Sequence, residues 1–353
     1  MLFFDYYYFY AVGLLTHSNL DPYTFDNYRL ALLSIGYPIS KFIPPFPYPF
    51  WSLWFFYLIA LFSYNYSLTL FLILNFFILL YSSNYIFNSF ILKYEWLTKF
   101  KFAILFFTYI PTVKTIFFAQ LSIVIFGTLL LVLSLYEKKK YFYSGLLSSF
   151  LLIKPHLVIA SLVYLFCKSL RCKFYNYSLG LLAGIMTQLY LTKKLFNFEI
   201  THFYKLFELS PHGYLDQDFV ILSATVVNHL SNLLNIDGLK YISIIISIII
   251  GIGLSLKSNR TYDTVLYILS PLALFLSPYA WSHDYVLLFP ALVTLFLENN
   301  KKLSERQFII IWLILNIILS FLLYLQFEHL FFLLFLVFLP KIRHFKISNY
   351  VKQ

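Results

Sequence analysis

The chain has 353 residues, of which 61% are hydrophobic, 22% aromatic and only 12% charged, and its mean hydropathy is +0.77. A soluble domain carries roughly 25% charged residues, so this composition excludes a chain that covers itself with a hydrated surface. The net charge of +11 is spread in small clusters that punctuate apolar runs, which points to anionic lipid headgroups, not nucleic acid, as its partner.

The apolar runs are about 16 to 24 residues long, the length a helix needs to cross a hydrocarbon core of about 30 Å. They lack the alternation of a barrel strand, so the expected fold class is all-α: a polytopic helical membrane protein in one transmembrane domain over 1–353. Cys167 and Cys172 share one basic loop and imply neither a disulfide framework nor a metal site.

In chain order, residues 1–48 do not read as a span. His17-Ser18-Asn19 and the turn signal Asp21-Pro22-Tyr23 interrupt them, a Pro/aromatic cluster from Phe42 to Trp51 follows, and Asp26 and Arg29 stand at pairing distance on a short helix. This predicts an external loop of amphipathic juxtamembrane helices. The tyrosines after Asp5 suit an interfacial aromatic belt, because each ring has a polar end. Pro49–Phe62 reads as a short or tilted interfacial helix and Leu68–Phe87 as a span.

The basic clusters KYEWLTKFK (Lys93 to Lys101), EKKK (Glu137 to Lys140), KSLRCK (Lys168 to Lys173), KSNR (Lys257 to Arg260), NNKKLSER (Asn299 to Arg306) and KIRHFK (Lys341 to Lys346) are all expected to be cytoplasmic by the positive-inside rule. Helices near 102–118 and 121–136 then turn at Gln120. Those near 174–191 and 241–256 flank an external loop at 192–240. Those near 262–281 and 285–298 turn at Trp281 to Asp284, and those near 308–325 and 330–340 precede a cytoplasmic tail at 341–353. Between EKKK and KSLRCK about 27 residues remain, too few for two spans of about 20. The stretch 141–167 is therefore expected to be a re-entrant or half-depth hairpin with Lys154-Pro155 at its tip.

Most carboxylates collect on the outer side, among them Asp5, Asp21, Asp26, Glu199, Glu208, Asp216, Asp218 and Asp237. Lys154 is costly inside an apolar run unless it faces water or a partner, and Pro155 frees backbone groups beside it. An ammonium next to freed amides fits a phosphate. Gln120, His283 and Asp284 arrive on the same side. A carboxylate base, a phosphate-binding cation and a His-Asp pair are what transfer from a lipid-linked phosphate donor requires. No Gly-rich nucleotide loop, Cys/His zinc spacing or HExxH points elsewhere.

The order of these motifs resembles glycosyltransferase family 87. Asp5-Tyr6-Tyr7-Tyr8, Asn19-Leu20-Asp21-Pro22-Tyr23 and Tyr48-Pro49 resemble its first external loop. Ala119-Gln120 resembles its Gly-Gln, Lys154-Pro155-His156 its Lys-Pro, and Ser277-Pro278 through Trp281 and Asp284-Tyr285 its Ser-Pro…Trp…Asp segment. The resemblance implies a GT-C fold and transfer of a hexose, mannose or a related sugar, from a polyprenyl-phosphate donor to a lipid or glycan acceptor on the extracytoplasmic face of the cell membrane, by inverting displacement. It implies Asp5 as general base, Lys154 and His283 as donor-phosphate ligands, and Tyr8, Tyr23, Tyr48, Gln120, His156 and Asp284 as substrate contacts, with no cofactor and no obligatory metal. The 1–48 loop becomes the catalytic loop.

The sugar and the acceptor, whether a glycolipid, a cell-wall glycan precursor or a lipid-linked oligosaccharide, are not separable from sequence. The resemblance also implies a membrane helix before Asp5. Either the start lies upstream, the chain is a fragment, or that helix and the activity with it have been lost, which leaves a degenerate homologue. A transporter or flippase of lipid-linked intermediates would instead show internal repeats with paired broken helices, and the sequence has one broken hairpin with no matching second half.

Overall fold

The computed structural model describes residues 4–38, 46, 48–91, 97–196, 239–258, 261–277, 280–299 and 304–324. The expectations for loop residues 197–238, for the segment 330–340 and for the tail 341–353 lie outside the described residues. Among those described, the elements are helices and turns with no strand.

Helices α1 (Phe4–His17) and α2 (Phe25–Ser34) form the N-terminal unit, followed by α3 (Leu53–Ile59) and the long α4 (Tyr64–Ile86). Helix α2 has the expected exposed and buried sides, but α1 is not amphipathic in that way. Tyr6, Phe9, Ala11, Val12 and Leu15 of α1 are all buried, and Gly13 lets α1 approach the carbonyl of Phe56 on α3 so closely that a Cβ would stand 2.4 Å from that oxygen. Nor do its tyrosines form an open belt. Tyr6 Oη lies 2.6 Å from Ser67 Oγ, Tyr8 Oη 2.8 Å from Tyr37 Oη, and Tyr10 donates to the Phe62 carbonyl at 2.9 Å. Each of these three phenol tips has found a protein partner, which lets the ring turn inward. Asp26 and Arg29 are both exposed and form no ion pair among the described residues.

The stretch read as one helix near 102–118 is two: α5 (Lys99–Thr108) and α6 (Ile110–Phe118), bent by 63°. Pro111 in the first turn of α6 explains the break. The amide freed at Ile110 donates to Asn316 Oδ1 at 2.9 Å. Then come α7 (Ser122–Glu137), α8 (Tyr141–Phe150), a 3-10 turn at Leu151–Ile153, α9 (Pro155–Arg171) and α10 (Tyr175–Leu195). Lys154 closes the 3-10 turn with a non-helical backbone (φ −123°, ψ 68°), because the residue before a proline is pushed out of the helical region. At 1.5 Å per residue, 141–153 spans about 20 Å and α9 about 25 Å, both short of a hydrocarbon core of about 30 Å.

The C-terminal part holds α11 (Leu239–Lys257), α12 (Thr261–Leu276), a 3-10 turn at Ser282–Leu288, α13 (Phe289–Asn299) and α14 (Glu305–Tyr324). Among the described residues two helices are long and apolar enough to cross a membrane, Tyr64–Ser89 and Glu305–Leu322, or three if the bent α5–α6 pair counts as one span. Basic clusters meet at one end of the bundle. Lys168 donates to the Ser258 carbonyl at 3.2 Å, Arg171 donates to the Leu256 carbonyl, and Lys101 pairs with Glu305 at 2.5 Å. The two α9 cations thus sit on the C-terminal carbonyls of α11, where the helix dipole favours them.

Small residues decide how closely the helices cross. A Cβ on Gly180 would stand 2.0 Å from the Phe142 carbonyl oxygen, and one on Gly145 would stand 2.0 Å from that of Tyr177. With Gly184 four residues on, this is the small-xxx-small pattern of membrane helix pairs. Gly180→Val is therefore expected to push α10 from α8 and lower stability by about 1–3 kcal/mol or more, read as an earlier thermal melt in detergent. An unchanged melting temperature would contradict this crossing.

Candidate functional site

Four chain breaks converge at the end of the bundle opposite the basic clusters: the start of α1, the α6–α7 turn, the Lys154 break and the Trp281–Leu288 turn. Helix α7 joins the two ends and, at 16 residues, spans about 24 Å.

The α6–α7 turn works because Ala119 takes the left-handed conformation (φ 52°, ψ 49°) and the Gln120 amide returns to the Thr115 carbonyl at 2.9 Å. A glycine fits such a position without strain. An alanine there costs about 1–2 kcal/mol, offset in part by burial of its methyl, worth about 0.8 kcal/mol. This turn aims Gln120 at α1: Gln120 Nε2 donates to Asp5 Oδ2 at 2.6 Å, and Tyr48 donates to Gln120 Oε1 at 3.4 Å. Tyr23 in turn donates to the Tyr48 carbonyl at 2.8 Å.

Asp5 is half-buried. Burial raises its carboxyl from 3.8 to about 6, against the opposing pull of the Gln120 hydrogen bond and the Lys154 charge. Burial, joined by the charge of Asp5, also holds the Tyr8 and Tyr28 hydroxyls well above their ordinary value, so both remain protonated donors.

The second half of the site is an ion pair. Lys154 Nζ lies 2.7 Å from Asp284 Oδ1, with side chains only 6% and 0% exposed. Ser122, the first residue of α7, accepts from Lys154 at 3.2 Å and donates to Asp284 Oδ1 at 2.5 Å. The other Asp284 oxygen accepts the Trp281 amide at 3.0 Å. Burial would push the Asp284 carboxyl up, but Lys154 and the two nearby histidines outweigh it and hold it below the usual carboxylate range. His283 Nε2 lies 3.7 Å from Asp284 Oδ1. Burial first, with Lys154 and Lys114 adding, lowers His283 to about 3, so its imidazole is neutral near pH 7.

Of the residues singled out from the sequence, Asp5, Gln120, Tyr48 and Tyr23 form one hydrogen-bonded chain, and Lys154, Asp284 and His283 form the other. Leu121 alone separates Gln120 from Ser122, and the Asp5 carboxyl feels the Lys154 and Asp284 charges. His156 lies close enough to feel Lys154, Asp284 and His283. Tyr8 belongs to the tyrosine group beside Asp5 through Tyr37.

Three further polar residues appear. Ser122 carries the ion pair. Lys114, part-buried on α6, donates to Ser282 Oγ at 3.1 Å beside His283. Tyr28 is buried at 2% exposure against the Tyr8 ring. A lysine within the apolar run 102–118 was a readable signal for Lys114, by the same reasoning that singles out Lys154.

Over the described residues the fold and site thus define a helical protein with membrane-length apolar helices and a buried polar centre at one end. Residues 46–198 match the family model described as glycosyltransferase family 87. No curated protein and no solved structure matches the chain. The matched stretch runs from Phe46 to the end of α10 and holds Tyr48, Gln120, Ser122, Lys154 and His156. Asp5, His283 and Asp284 lie outside it, yet Asp5 bonds to Gln120 and Asp284 to Lys154.

The ion pair yields a direct test. Asp284→Asn leaves a buried ammonium without its counter-charge, an expected loss of about 3–5 kcal/mol, whereas adding Lys154→Met to it should recover more than half of that. Thermal unfolding of both variants in detergent reads the difference, and equal stability of the two would refute the coupling.

Proposed function

We propose that this chain is a membrane glycosyltransferase that moves a hexose, mannose in the first instance, from a polyprenyl-phosphate donor to a lipid or glycan acceptor. The hydrogen bond from Gln120 to Asp5 carries the reading. It ties a partly open carboxylate, itself outside the matched stretch, to a residue inside the stretch that is similar to a glycosyltransferase family. A carboxylate raised to about 6 is a better proton acceptor near neutral pH than an ordinary aspartate.

In this reading the acceptor hydroxyl gives its proton to Asp5 as its oxygen attacks the anomeric carbon. The bond to the phosphate oxygen breaks, the electron pair leaves with the polyprenyl phosphate, and the anomeric centre inverts. Lys154 has three N–H donors, of which Asp284 and Ser122 take two. The third is proposed to hold the departing phosphate, with neutral His283 beside it, and no divalent metal is required. Gln120 fixes the Asp5 carboxylate. Tyr8, Tyr23, Tyr48, His156 and Asp284 shape the surroundings of donor and acceptor.

The GT-C-type arrangement, multi-pass insertion in the cell membrane and an extracytoplasmic site belong to the same proposal. It is supported by the basic clusters lying a helix length away from Asp5, at the other end of α7. The two arms of the Lys154 hairpin are shorter than the hydrocarbon core, which favours a re-entrant tip where a lipid-linked phosphate would sit.

Asp5→Asn keeps the Gln120 hydrogen bond and removes the base. The variant is expected to insert and melt like the wild type while transfer from polyprenyl-phosphate mannose to a membrane lipid extract falls by at least 100-fold. Retained transfer would remove Asp5 from the role. Because the base acts when ionised, the wild-type rate is expected to climb with pH through about 6 and to be lost below it. A profile flat from pH 5 to 8 would speak against a carboxylate base.

A further inference from the structure

Asn316 interrupts the apolar run of α14. A polar side chain in such a run is costly unless it finds a partner. Leu313, Ile314, Ile317 and Ile318 around it turn outward, whereas Asn316 is 8% exposed. Its Oδ1 accepts the Ile110 amide at 2.9 Å, and its Nδ2 donates to the Trp312 carbonyl one turn back at 2.9 Å, which sets the rotamer. The amide it takes is the first of α6, at the 63° bend, and a backbone donor freed at membrane depth needs a partner there. Helix α6 runs from that point into the polar centre. Tyr109, at the bend, donates to the Tyr285 carbonyl at 3.2 Å, Lys114 to Ser282 Oγ at 3.1 Å and Thr115 to the His283 carbonyl at 2.9 Å. Beyond them Gln120 holds Asp5 at 2.6 Å.

We propose that Asn316 is a positioning residue for the transfer reaction: by holding the Ile110 amide it sets the tilt of α6 and, through α6, the Gln120–Asp5 hydrogen bond. The inference rests on Asp5 as the base. Thr115 stands about 7.5 Å along the helix from Ile110, and the Gln120 amide returns to its carbonyl at 2.9 Å. Held near its middle by the Trp281–Leu288 turn, α6 acts as a lever with arms of comparable length. A shift at the Ile110 end comes back as an opposite shift at the Gln120 end. A shift of about 1 Å there takes the Gln120–Asp5 contact from 2.6 Å past hydrogen-bond range. The Asp5 carboxyl is faced by Gln120 from the α6–α7 turn, Lys154 from the hairpin tip, Asp284 from the Trp281–Leu288 turn, Tyr8 on α1, Tyr28 on α2 and Tyr37 after α2. Burial raises that carboxyl and the Gln120 bond is the largest pull against it, so losing the bond lets the carboxyl rise further.

Asn316→Leu keeps the volume and removes the acceptor. With polyprenyl-phosphate mannose as donor and a membrane lipid extract as acceptor, its kcat is expected to fall at least ten-fold. The midpoint of its pH–rate profile should move to the alkaline side of the wild-type value near 6. Gln120→Leu should move the midpoint the same way, and adding Asn316→Leu to it should move it no further, because both act on one bond. Gly180→Val, a packing variant away from this path, should melt earlier and keep the wild-type midpoint. If Asn316→Leu does not insert, Asn316→Ala, which only removes atoms, carries the same expectation. An Asn316 variant that melts earlier or loses rate at an unchanged midpoint would be a structural defect alone and overturn the positioning role. Midpoint shifts that add in the double variant would do the same, and both outcomes leave Asp5 as the base. Wild type that consumes no donor, or whose profile is flat from pH 5 to 8, would overturn the Asp5 reading and this inference together.

Discussion

The polar end of this bundle depends on one buried ion pair. Lys154 and Asp284 are removed from water almost completely, and at that depth a single charge is tolerated only with a counter-charge and its remaining hydrogen bonds satisfied. The sequence supplies both. Pro155 breaks the helix so that Lys154 reaches inward from the tip of the hairpin, and Ser122 at the head of α7 both accepts from the lysine and donates to the aspartate. The Trp281 amide takes the last carboxylate oxygen. Three elements distant in sequence are thus fixed at one point by electrostatics, where apolar packing between helices in lipid would give little preference for one register.

From that point the rest of the site follows. Holding Ser122 fixes the start of α7 and, one residue back across Leu121, the left-handed turn that aims Gln120 at Asp5. Tyr48 and Tyr23 extend the same chain to the segment before α3. The stretch similar to the glycosyltransferase family contributes Gln120, Ser122 and Lys154. Its partners Asp5 and Asp284 come from the two flanks. A site assembled this way is lost by displacing either flank, even when every residue of the matched stretch is intact.

The parts legible in the sequence share one physical property: they are polar groups where polarity is expensive. Lys154, Gln120, His283 and Asp284 stand out of apolar runs, and Pro155 marks its own helix break. The span Leu68–Phe87 was legible from length and hydropathy and falls inside the helix Tyr64–Ser89. The tyrosine run was misread because a phenol tip signals an interface only until the fold supplies a partner, and Ser67, Tyr37 and the Phe62 carbonyl are far away in sequence. Pro111 held the information for the 63° bend, but a proline in the first turn of a helix also suits an unbroken start, so the break needed Asn316 to take the freed amide. Ser122 and Tyr28 carry no signal of their own; a serine in an apolar helix and a tyrosine on a short one are common, and only burial beside an ion pair or a carboxylate distinguishes them.

The two carboxylates of this polar centre sit in opposite environments. Both are desolvated, and desolvation alone would raise both. Asp284 faces an ammonium at 2.7 Å and is held below its ordinary range. Asp5 faces an amide and a set of phenols and rises to about 6. Environments that drive like groups apart leave one a permanent charge that fixes structure and the other a carboxyl raised toward neutrality, the property the proposed base requires. Protonating Asp284 would break its pair with Lys154, so in the proposed reading it is not the base. Asp5 keeps its raised carboxyl because Gln120 holds it by a donor that carries no charge. Exchanging that amide for a cation would lower Asp5 toward the range of Asp284 and remove the basicity that its burial creates.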